Sequence, residues 1–196
     1  MCSITVVTNR HLCQEEFLVR IERLAAGGAD RIILREKDLS VDEYRRLAEQ
    51  VLDVCIPYPA ECILHSFAEA DYPHVHLPLP VMRCYPRKTE WQTVGVSVHS
   101  VEDACEAEAW GADYLVAGHI FPTGCKQGLA GRGTDFLHAV CHDVRIPVHA
   151  IGGITEENIH LLAKAGAAGV CIMSSAMQTD HPERLIKQLH EQMNMW

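Results

Sequence analysis

The chain lacks any hydrophobic run close to the ~20 residues that a helix needs to cross a bilayer. It also lacks an excess of positive charge: its formal net charge is −9, whereas nucleic-acid-binding proteins usually carry the opposite sign. The N-terminal segment has neither the basic nor the apolar region of a signal peptide and is predicted to form a strand. We therefore expect a cytoplasmic protein that binds neither nucleic acid nor membrane.

No two cysteines have the CxxC spacing of a redox or metal motif, although the chain contains nine cysteines. Their odd number argues against a complete disulfide framework. Most of them lie in apolar strand or helix contexts, as Cys62 and Cys171 do. The prediction is therefore free, buried thiols in a reducing compartment.

Short runs rich in β-branched residues alternate with segments that carry apolar residues at helical spacing. Ser40 and Glu43 have the spacing of a capping box at the start of one helix. The predicted strands cover residues 3–9, 31–37, 61–66, 74–78, 93–100, 114–120, 147–153 and 169–175. The predicted helices cover residues 15–26, 40–54, 101–110, 135–141, 156–165 and 181–192, and residues 78–93 are predicted to be irregular apart from one helical turn.

Eight strands, each followed by a helix or by a loop in its place, predict a (β/α)8 TIM barrel. A chain of 196 residues with 48% hydrophobic residues is enough for one core, so a single domain over residues 1–196 is expected. Such barrels typically have ~250 residues, and the short connections after strands three and four account for the difference. A doubly wound open sheet is the alternative, but the regular units favour the barrel.

Two strand ends near the C-terminus predict a phosphate site. In many barrels the loops after strands seven and eight bind phosphate through backbone N–H groups. Here strand seven ends at Gly152 and Gly153, and strand eight ends at Ser174 and Ser175. Glycine lets backbone amides approach an anion without a Cβ atom in the way. The alternative is that the glycines only make a turn and the serines only cap a helix.

The end of strand two offers two cations. Alternation along the strand places Arg35 and Lys37 on one face and Glu36 on the other. Two cations at the C-terminal end of a barrel strand can bind a carboxylate or a phosphate. The alternative is a solvated strand end in which Glu36 pairs with a neighbour.

The loop after strand six contains the best candidate for a catalytic group. His119 stands at the end of that strand, and histidine can accept and return a proton near neutral pH. Thr123 and Lys126 follow in a glycine-rich loop and are predicted to contact a substrate. A structural role for His119 is the alternative. Cys125 in the same loop has no base nearby in the sequence, so loop packing is favoured over a nucleophile.

His74 and His76 lie on one face of strand four, with His65 and His99 on neighbouring strands. Such a set resembles a zinc site of a barrel hydrolase. No acidic residue stands at a neighbouring strand end to complete it, so ordinary strand histidines and no metal are predicted.

Four segments, taken in order, resemble one known superfamily. They are LREK (34–37), VGVSVHSVEDACEAEAWGADYLVAGHIFPTGCKQGLAGRG (94–133), PVHAIGGIT (147–155) and AGAAGVCIMSSAM (165–177). Together they resemble the thiamine phosphate synthase/thiazole tautomerase superfamily, and the resemblance weakens between about residues 55 and 92. It implies a barrel fold and a role in making the thiazole half of thiamine.

The resemblance also bears on the branch of the superfamily. Synthases usually carry acidic residues after strands three and four that hold Mg²⁺ against a pyrophosphate leaving group. Here those places read His65-Ser66 and Leu77-Pro78-Leu79-Pro80, and His119 replaces a proline that synthases tend to have after strand six. The tautomerase branch, of the TenI type, is therefore predicted, although Pro122-Thr123 is a synthase-like feature.

The predicted activity is that of an isomerase, a thiazole tautomerase that aromatises a dihydrothiazole carboxylate phosphate. His119 would move the proton between two carbons without a metal or other cofactor. Gly152, Gly153, Ser174 and Ser175 would bind the phosphate, Arg35 and Lys37 the carboxylate, and Thr123 and Lys126 would be secondary contacts. Two alternatives remain, a thiamine phosphate synthase and a non-catalytic regulator that binds a phosphorylated ligand. A homodimer is compatible with so small a barrel.

Overall fold

The computed structural model describes residues 2–66, 72–85, 87–124 and 128–196. Within them, eight parallel strands form a closed barrel in chain order. The strands are β1 (Ser3–Val7), β2 (Arg31–Leu34), β3 (Glu61–His65), β4 (His74–Pro78), β5 (Thr93–Val98), β6 (Tyr114–Gly118), β7 (Val148–Ile151) and β8 (Gly169–Ile172). β8 pairs with β1, with Ser3 opposite Gly169, and this pairing closes the barrel. The predicted (β/α)8 fold is confirmed.

Helices cover the outside of the barrel. They are α1 (Phe17–Ala26), α2 (Val41–Cys55), α3 (Leu79–Cys84), α4 (Val101–Ala109), α5 (Gly133–Asp143), α6 (Ile159–Lys164), α7 (Ser174–Gln178) and α8 (Pro182–Met193). The capping box predicted at α2 is present, because the Ser40 side chain accepts from the backbone of Glu43 and the Glu43 side chain accepts from that of Ser40. None of the described helices is both long and apolar enough to cross a membrane.

Alternation along each strand divides the buried residues into two sets. A large cluster packs between the strands and the helices, and it includes Ile32, Leu64 and Val96. A small cluster fills the inside of the barrel, with Ile33, Ile63 and Val116 among its members. This apolar inner cluster is small because polar side chains share the barrel interior with it.

The interior polar set consists of buried side chains from five strands. Gly95 makes room for two large rings of this set, because a Cβ atom at Gly95 would collide with the rings of Tyr114 and His76. The rings follow one another at centroid separations of 5.8 Å, 5.7 Å and 5.4 Å. In that order the rings are those of His65, His76, Tyr114 and His149. The fifth member of the set, Thr5, lies beside His149.

Candidate functional site

A cavity of about 320 Å³ opens at the C-terminal ends of β2 and β3. Catalytic and binding groups of (β/α)8 enzymes lie at this end of the barrel. The lining comes from the last residue of β3, from the segments that follow β2 and β3, and from the first turn of α2. Its members are Glu36, Lys37, Leu39, Val41, Tyr44, His65 and Ser66. Ser66 has a positive φ of 59°, a conformation that a residue other than glycine adopts only where its surroundings impose it.

Tyr44 of α2 joins the ends of two strands at this cavity. Its hydroxyl group donates a 2.6 Å hydrogen bond to the carbonyl oxygen of Leu34 and accepts one of 3.0 Å from the backbone N–H of His65. Burial raises the pKa of Tyr44, so the hydroxyl stays protonated and can donate. Tyr44 therefore holds the cavity wall at a fixed distance between β2 and β3.

Arg35 lies near enough to Lys37 for its charge to act on it, but β2 ends before both residues, at Leu34, so strand alternation does not extend to them. The positive charge of Arg35, followed by partial burial, lowers the pKa of Lys37. Within the described residues, neither side chain has a carboxylate within salt-bridge distance. Two cations that repel each other and have no anionic partner among the described residues can both be stabilised by a ligand anion.

Glu36 forms a buried network with the residues that follow β1. Its carboxylate accepts from the hydroxyl group of Thr8 at 2.7 Å and from the backbone N–H of Arg10 at 3.1 Å. The Arg10 guanidinium also contacts Glu36 at 3.1 Å and Asp38 at 2.6 Å, and it holds the pKa of Asp38 well below its ordinary value. Glu36 thus pairs with a neighbour, as the alternative expected, but it is buried and does not stand at a solvated strand end.

His65 faces the same end of the barrel. Burial lowers its pKa to about 3, and the charges of Arg35 and Lys37 act in the same direction. The ring is therefore neutral at physiological pH. Its Nδ1 atom lies 2.8 Å from the Ser66 hydroxyl group.

His119 is the candidate for which the structure offers no partner. It follows β6 and is only 7% exposed. Neither ring nitrogen has a hydrogen-bond partner in the part of the chain that the structure describes. A buried polar group without a partner is costly, so His119, whose ring has none among the described residues, stays a candidate for contact with a ligand.

Gly152 and Gly153 have positive φ angles of 106° and 65°. A Cβ atom at Gly152 would collide with His119, and one at Gly153 would collide with the carbonyl oxygen of Pro122. The backbone N–H of Phe121 also donates a 3.0 Å hydrogen bond to the Gly152 carbonyl oxygen. Packing of the loop after β6 therefore requires both glycines, whether or not they also bind phosphate.

Ser174 and Ser175 lie in the first turn of α7 rather than in β8, which ends at Ile172. Their hydroxyl groups have no hydrogen-bond partner among the described residues. At the other end of α7, the buried Arg20 donates hydrogen bonds of 2.9 Å and 2.6 Å to the carbonyl oxygens of Ala176 and Thr179. Arg20 thus fixes α7 with its N-terminal serines at the C-terminal end of β8.

The remaining predicted residues of the β6 loop have separate outcomes. Thr123 is half-buried in that loop. Lys126 and Cys125 lie outside the described residues.

The two histidines of β4 form separate contacts. His74 lies 3.0 Å from Glu61 and 3.1 Å from the Thr93 hydroxyl group, near the N-terminal end of the barrel. His76 lies 2.8 Å from Ser97 and 3.1 Å from Tyr114. No group of three or more acidic, histidine or cysteine side chains that could hold a metal is present among the described residues.

Ser66 and Ser97 were not among the predicted site residues. Alternation along 93–98 places Ser97 on the inner face of β5, and this pattern was the signal that could have identified it. Ser66 could not be recognised in this way, because its position depends on the turn that follows β3.

A closed parallel barrel with two neighbouring cations and a buried imidazole at its C-terminal end belongs to the (β/α)8 enzymes. The family model described as thiamine monophosphate synthase matches residues 4–176, and the chain belongs to this family. It is 35% identical to thiamine-phosphate synthase 2 of Streptococcus pneumoniae over 94% of each chain. It is 38% identical to the thiamine-phosphate synthase of Enterococcus faecalis over 89% of this chain and 86% of that one.

A solved structure agrees with these relatives. The thiamine phosphate pyrophosphorylase of Pyrococcus furiosus superimposes with a TM-score of 0.84 at 27% identity, over 98% of this chain and 96% of that one. The superfamily predicted from the sequence is thus confirmed, at the level of the thiamine monophosphate synthase family.

The predicted function, a thiazole tautomerase, is wrong. Relatives at 35% and 38% identity over most of the chain are named thiamine-phosphate synthases. The prediction relied on missing acids after two strands and on His119, and a few local substitutions weigh less than similarity over the whole barrel. The relatives indicate a transferase rather than an isomerase.

Proposed function

We propose that the chain is a thiamine-phosphate synthase, a transferase that joins a phosphorylated thiazole to a pyrimidine whose pyrophosphate group leaves. The observation that carries this proposal is the 35% identity to thiamine-phosphate synthase 2 of Streptococcus pneumoniae over 94% of both chains. The geometry supports it, because the barrel mouth has cations suited to an anionic leaving group.

Arg35 and Lys37 are the groups we assign to the leaving pyrophosphate. Their mutual repulsion lowers the pKa of Lys37, and a polyanion beside them reverses this effect. Negative charge grows on the leaving group as its bond to carbon breaks, so fixed cations stabilise the transition state more than the substrate. The cavity beside Lys37, about 320 Å³ in volume, has room for part of a ligand.

The thiazole phosphate is assigned to the ends of β7 and β8. Gly152 and Gly153 turn the chain there, and Ser174 and Ser175 offer hydroxyl and backbone N–H groups at the start of α7. His119 lies beside Gly152 and has two unpaired ring nitrogens, which suit a polar contact with the ligand between the two phosphate sites. Thr123 and Lys126 remain secondary candidates.

The resemblance implies a Mg²⁺ ion, held in synthases by acidic residues after strands three and four. The described residues at these strand ends are His65, Ser66, Pro78 and Leu79, and none of them supplies a carboxylate. They do not fit such an ion, and we derive no step through it. Arg35 and Lys37 are the described groups that can neutralise the leaving group.

The test is formation of thiamine phosphate by the purified protein from the two phosphorylated precursors, with Mg²⁺ and with EDTA. We expect thiamine phosphate and pyrophosphate to appear in equal amounts, and Arg35→Ala to reduce the rate strongly. Arg83→Gln is the matched control, because Arg83 forms an exposed pair with Glu106 on the helical surface. No product under either condition, with thiamine phosphate still bound, would favour a non-catalytic binding protein instead.

A further inference from the structure

Three side chains inside the barrel form a connected line from its interior to its mouth. The Tyr114 hydroxyl group lies 3.1 Å from Nδ1 of His76, and Nε2 of His76 lies 2.8 Å from the hydroxyl oxygen of Ser97. Tyr114 and His76 are each 2% exposed, whereas Ser97 is half-buried near the end of β5. Gly95 leaves the space in which the two rings meet.

His76 has one proton to share between its two ring nitrogens. Complete burial lowers its pKa well below the ordinary value, so the ring is neutral and carries a single N–H group. One ring nitrogen therefore donates a hydrogen bond and the other accepts one. Which nitrogen does which determines the direction of every hydrogen bond in the line.

Tyr114 determines that direction. Within the described residues, Nδ1 of His76 is the hydrogen-bond partner of its hydroxyl group, so the phenol O–H must donate there or remain buried without an acceptor. The second arrangement loses a hydrogen bond and keeps the desolvation penalty of the phenol. The first makes Nδ1 the acceptor, which leaves the proton on Nε2 and directs it toward the Ser97 oxygen.

We propose that Tyr114 and His76 are positioning residues that make Ser97 a hydrogen-bond donor to the ligand in the barrel mouth. The Ser97 oxygen accepts from His76 on its inner side, so its own hydrogen is free for an acceptor on the open side. The ligand atom that fits is a phosphate oxygen or an unprotonated ring nitrogen, whereas an ammonium or amide N–H is disfavoured. This ligand part of the proposal rests on the proposed function, but the tautomer of His76 does not.

The tautomer is measured on the free protein. Two-bond ¹H–¹⁵N correlation spectra distinguish protonated from unprotonated ring nitrogens, and His76→Gln identifies the His76 signals by their loss. We expect a neutral ring with the proton on Nε2. Tyr114→Phe removes the hydrogen bond that fixes this state and should shift the His76 nitrogens toward the other tautomer. A proton on Nδ1 in the unmodified protein would overturn the proposal.

Tyr72→Phe is the matched control for Tyr114→Phe. The Tyr72 hydroxyl group donates a 3.2 Å hydrogen bond to the carbonyl oxygen of Cys62, on the helix side of the barrel. This variant loses the same atom and a similar hydrogen bond but should leave the His76 signals unchanged. Equal changes in both variants would mean that Tyr114 acts only through general stability.

The ligand part is measured by calorimetry with thiamine phosphate as the probe. Loss of one hydrogen bond should weaken binding about fivefold to tenfold in Ser97→Ala and somewhat less in Tyr114→Phe. The double variant should bind no more weakly than Ser97→Ala alone, because Tyr114 acts through Ser97. If the two substitutions weakened binding independently, so that their fold-changes multiplied in the double variant, the ligand part of the proposal would be overturned. Absence of binding to the unmodified protein would instead contradict the proposed function, while the spectra still decide the tautomer.

Discussion

The hydroxyl group of Thr8 donates a 2.7 Å hydrogen bond to the carboxylate of Glu36, and both side chains are buried where β1 and β2 end. The same Thr8 oxygen accepts a 2.9 Å hydrogen bond from the backbone N–H of Arg35. The Thr8–Glu36 pair therefore connects the end of β1 to Arg35, the cation that follows β2. The position of Arg35 in the mouth depends on it.

The first prediction concerns Glu36. Glu36→Ala leaves the Thr8 hydroxyl group and the Arg10 backbone N–H without their acceptor. We expect the free energy of unfolding in urea to fall by about 2–3 kcal/mol, as for buried groups that lose a charged partner. Asp38→Ala removes an exposed carboxylate from the same arginine, Arg10, and should cost less. Equal losses in the two variants would contradict a special role for the buried pair.

The second prediction concerns the two cations. Arg35→Ala and Lys37→Ala should each lower the affinity for inorganic pyrophosphate by about tenfold or more, because each removes a charge-assisted hydrogen bond. The loss should be smaller in 0.5 M salt, where screening already weakens the interaction of exposed charges. Calorimetry on both variants and on Arg83→Gln measures this. Unchanged affinity in both would place the pyrophosphate elsewhere in the barrel mouth.

Strand positions were predictable because burial in a barrel leaves a strong local pattern. Segments such as Glu61–His65 and His74–Pro78 have β-branched or apolar residues at every second position, and turn residues stand around them. Strand ends were less predictable. β8 was expected to continue to Ser175 but gives way to α7 after Met173. That helix is held at its end by hydrogen bonds from Arg20, which is far away in the sequence and leaves no local signal.

Contacts across the barrel could not be predicted from local patterns. Alternation places Tyr114, His76 and Ser97 on inner faces, but only the register of β4, β5 and β6 brings their polar atoms together. Gly153 was predicted to contact a phosphate because it stands at a strand end. The structure adds that the packing of the Pro122 segment also requires a glycine there, which no local pattern could show. The branch of the superfamily was missed because it was judged from single residues.

The third prediction concerns the buried histidines. Burial lowers the pKa of His149 from its ordinary value of 6.5 to about 4, and a positive charge on Arg31 acts in the same direction. At a pH between these two pKa values, the His149 side chain binds a proton in the unfolded chain but not in the folded chain. Stability therefore falls as the pH falls through this range, by up to about 1.4 kcal/mol per pH unit for each such histidine.

Urea unfolding at several pH values between 7.5 and 4.5 measures this slope. His149→Gln should reduce the loss of stability on acidification by the contribution of one proton. His142→Gln is the matched control, because that side chain is exposed and pairs with Asp143. The same pH dependence in His149→Gln as in the unmodified protein would mean that His149 is not held neutral.

The last prediction separates backbone strain from packing at the glycines of the mouth. Gly133 and Gly153 have similar positive φ angles, 81° and 65°. A Cβ atom at Gly133 would meet no atom within 4 Å, whereas one at Gly153 would collide with the Pro122 carbonyl oxygen and lie 3.0 Å from the Phe121 carbonyl carbon. Alanine at either site adds the strain of the left-handed region, about 1–2 kcal/mol, but only Gly153→Ala must also displace the loop.

We therefore expect Gly133→Ala to lower the free energy of unfolding by about 1–2 kcal/mol and to leave thiamine phosphate affinity nearly unchanged. Gly153→Ala should cost more and should weaken binding, because the displaced residues, Phe121 and Pro122, belong to the loop that follows His119. Urea unfolding and calorimetry on both variants decide between the two effects. If the two variants lost equal stability and bound the ligand equally well, loop packing would not be the reason for a glycine at 153.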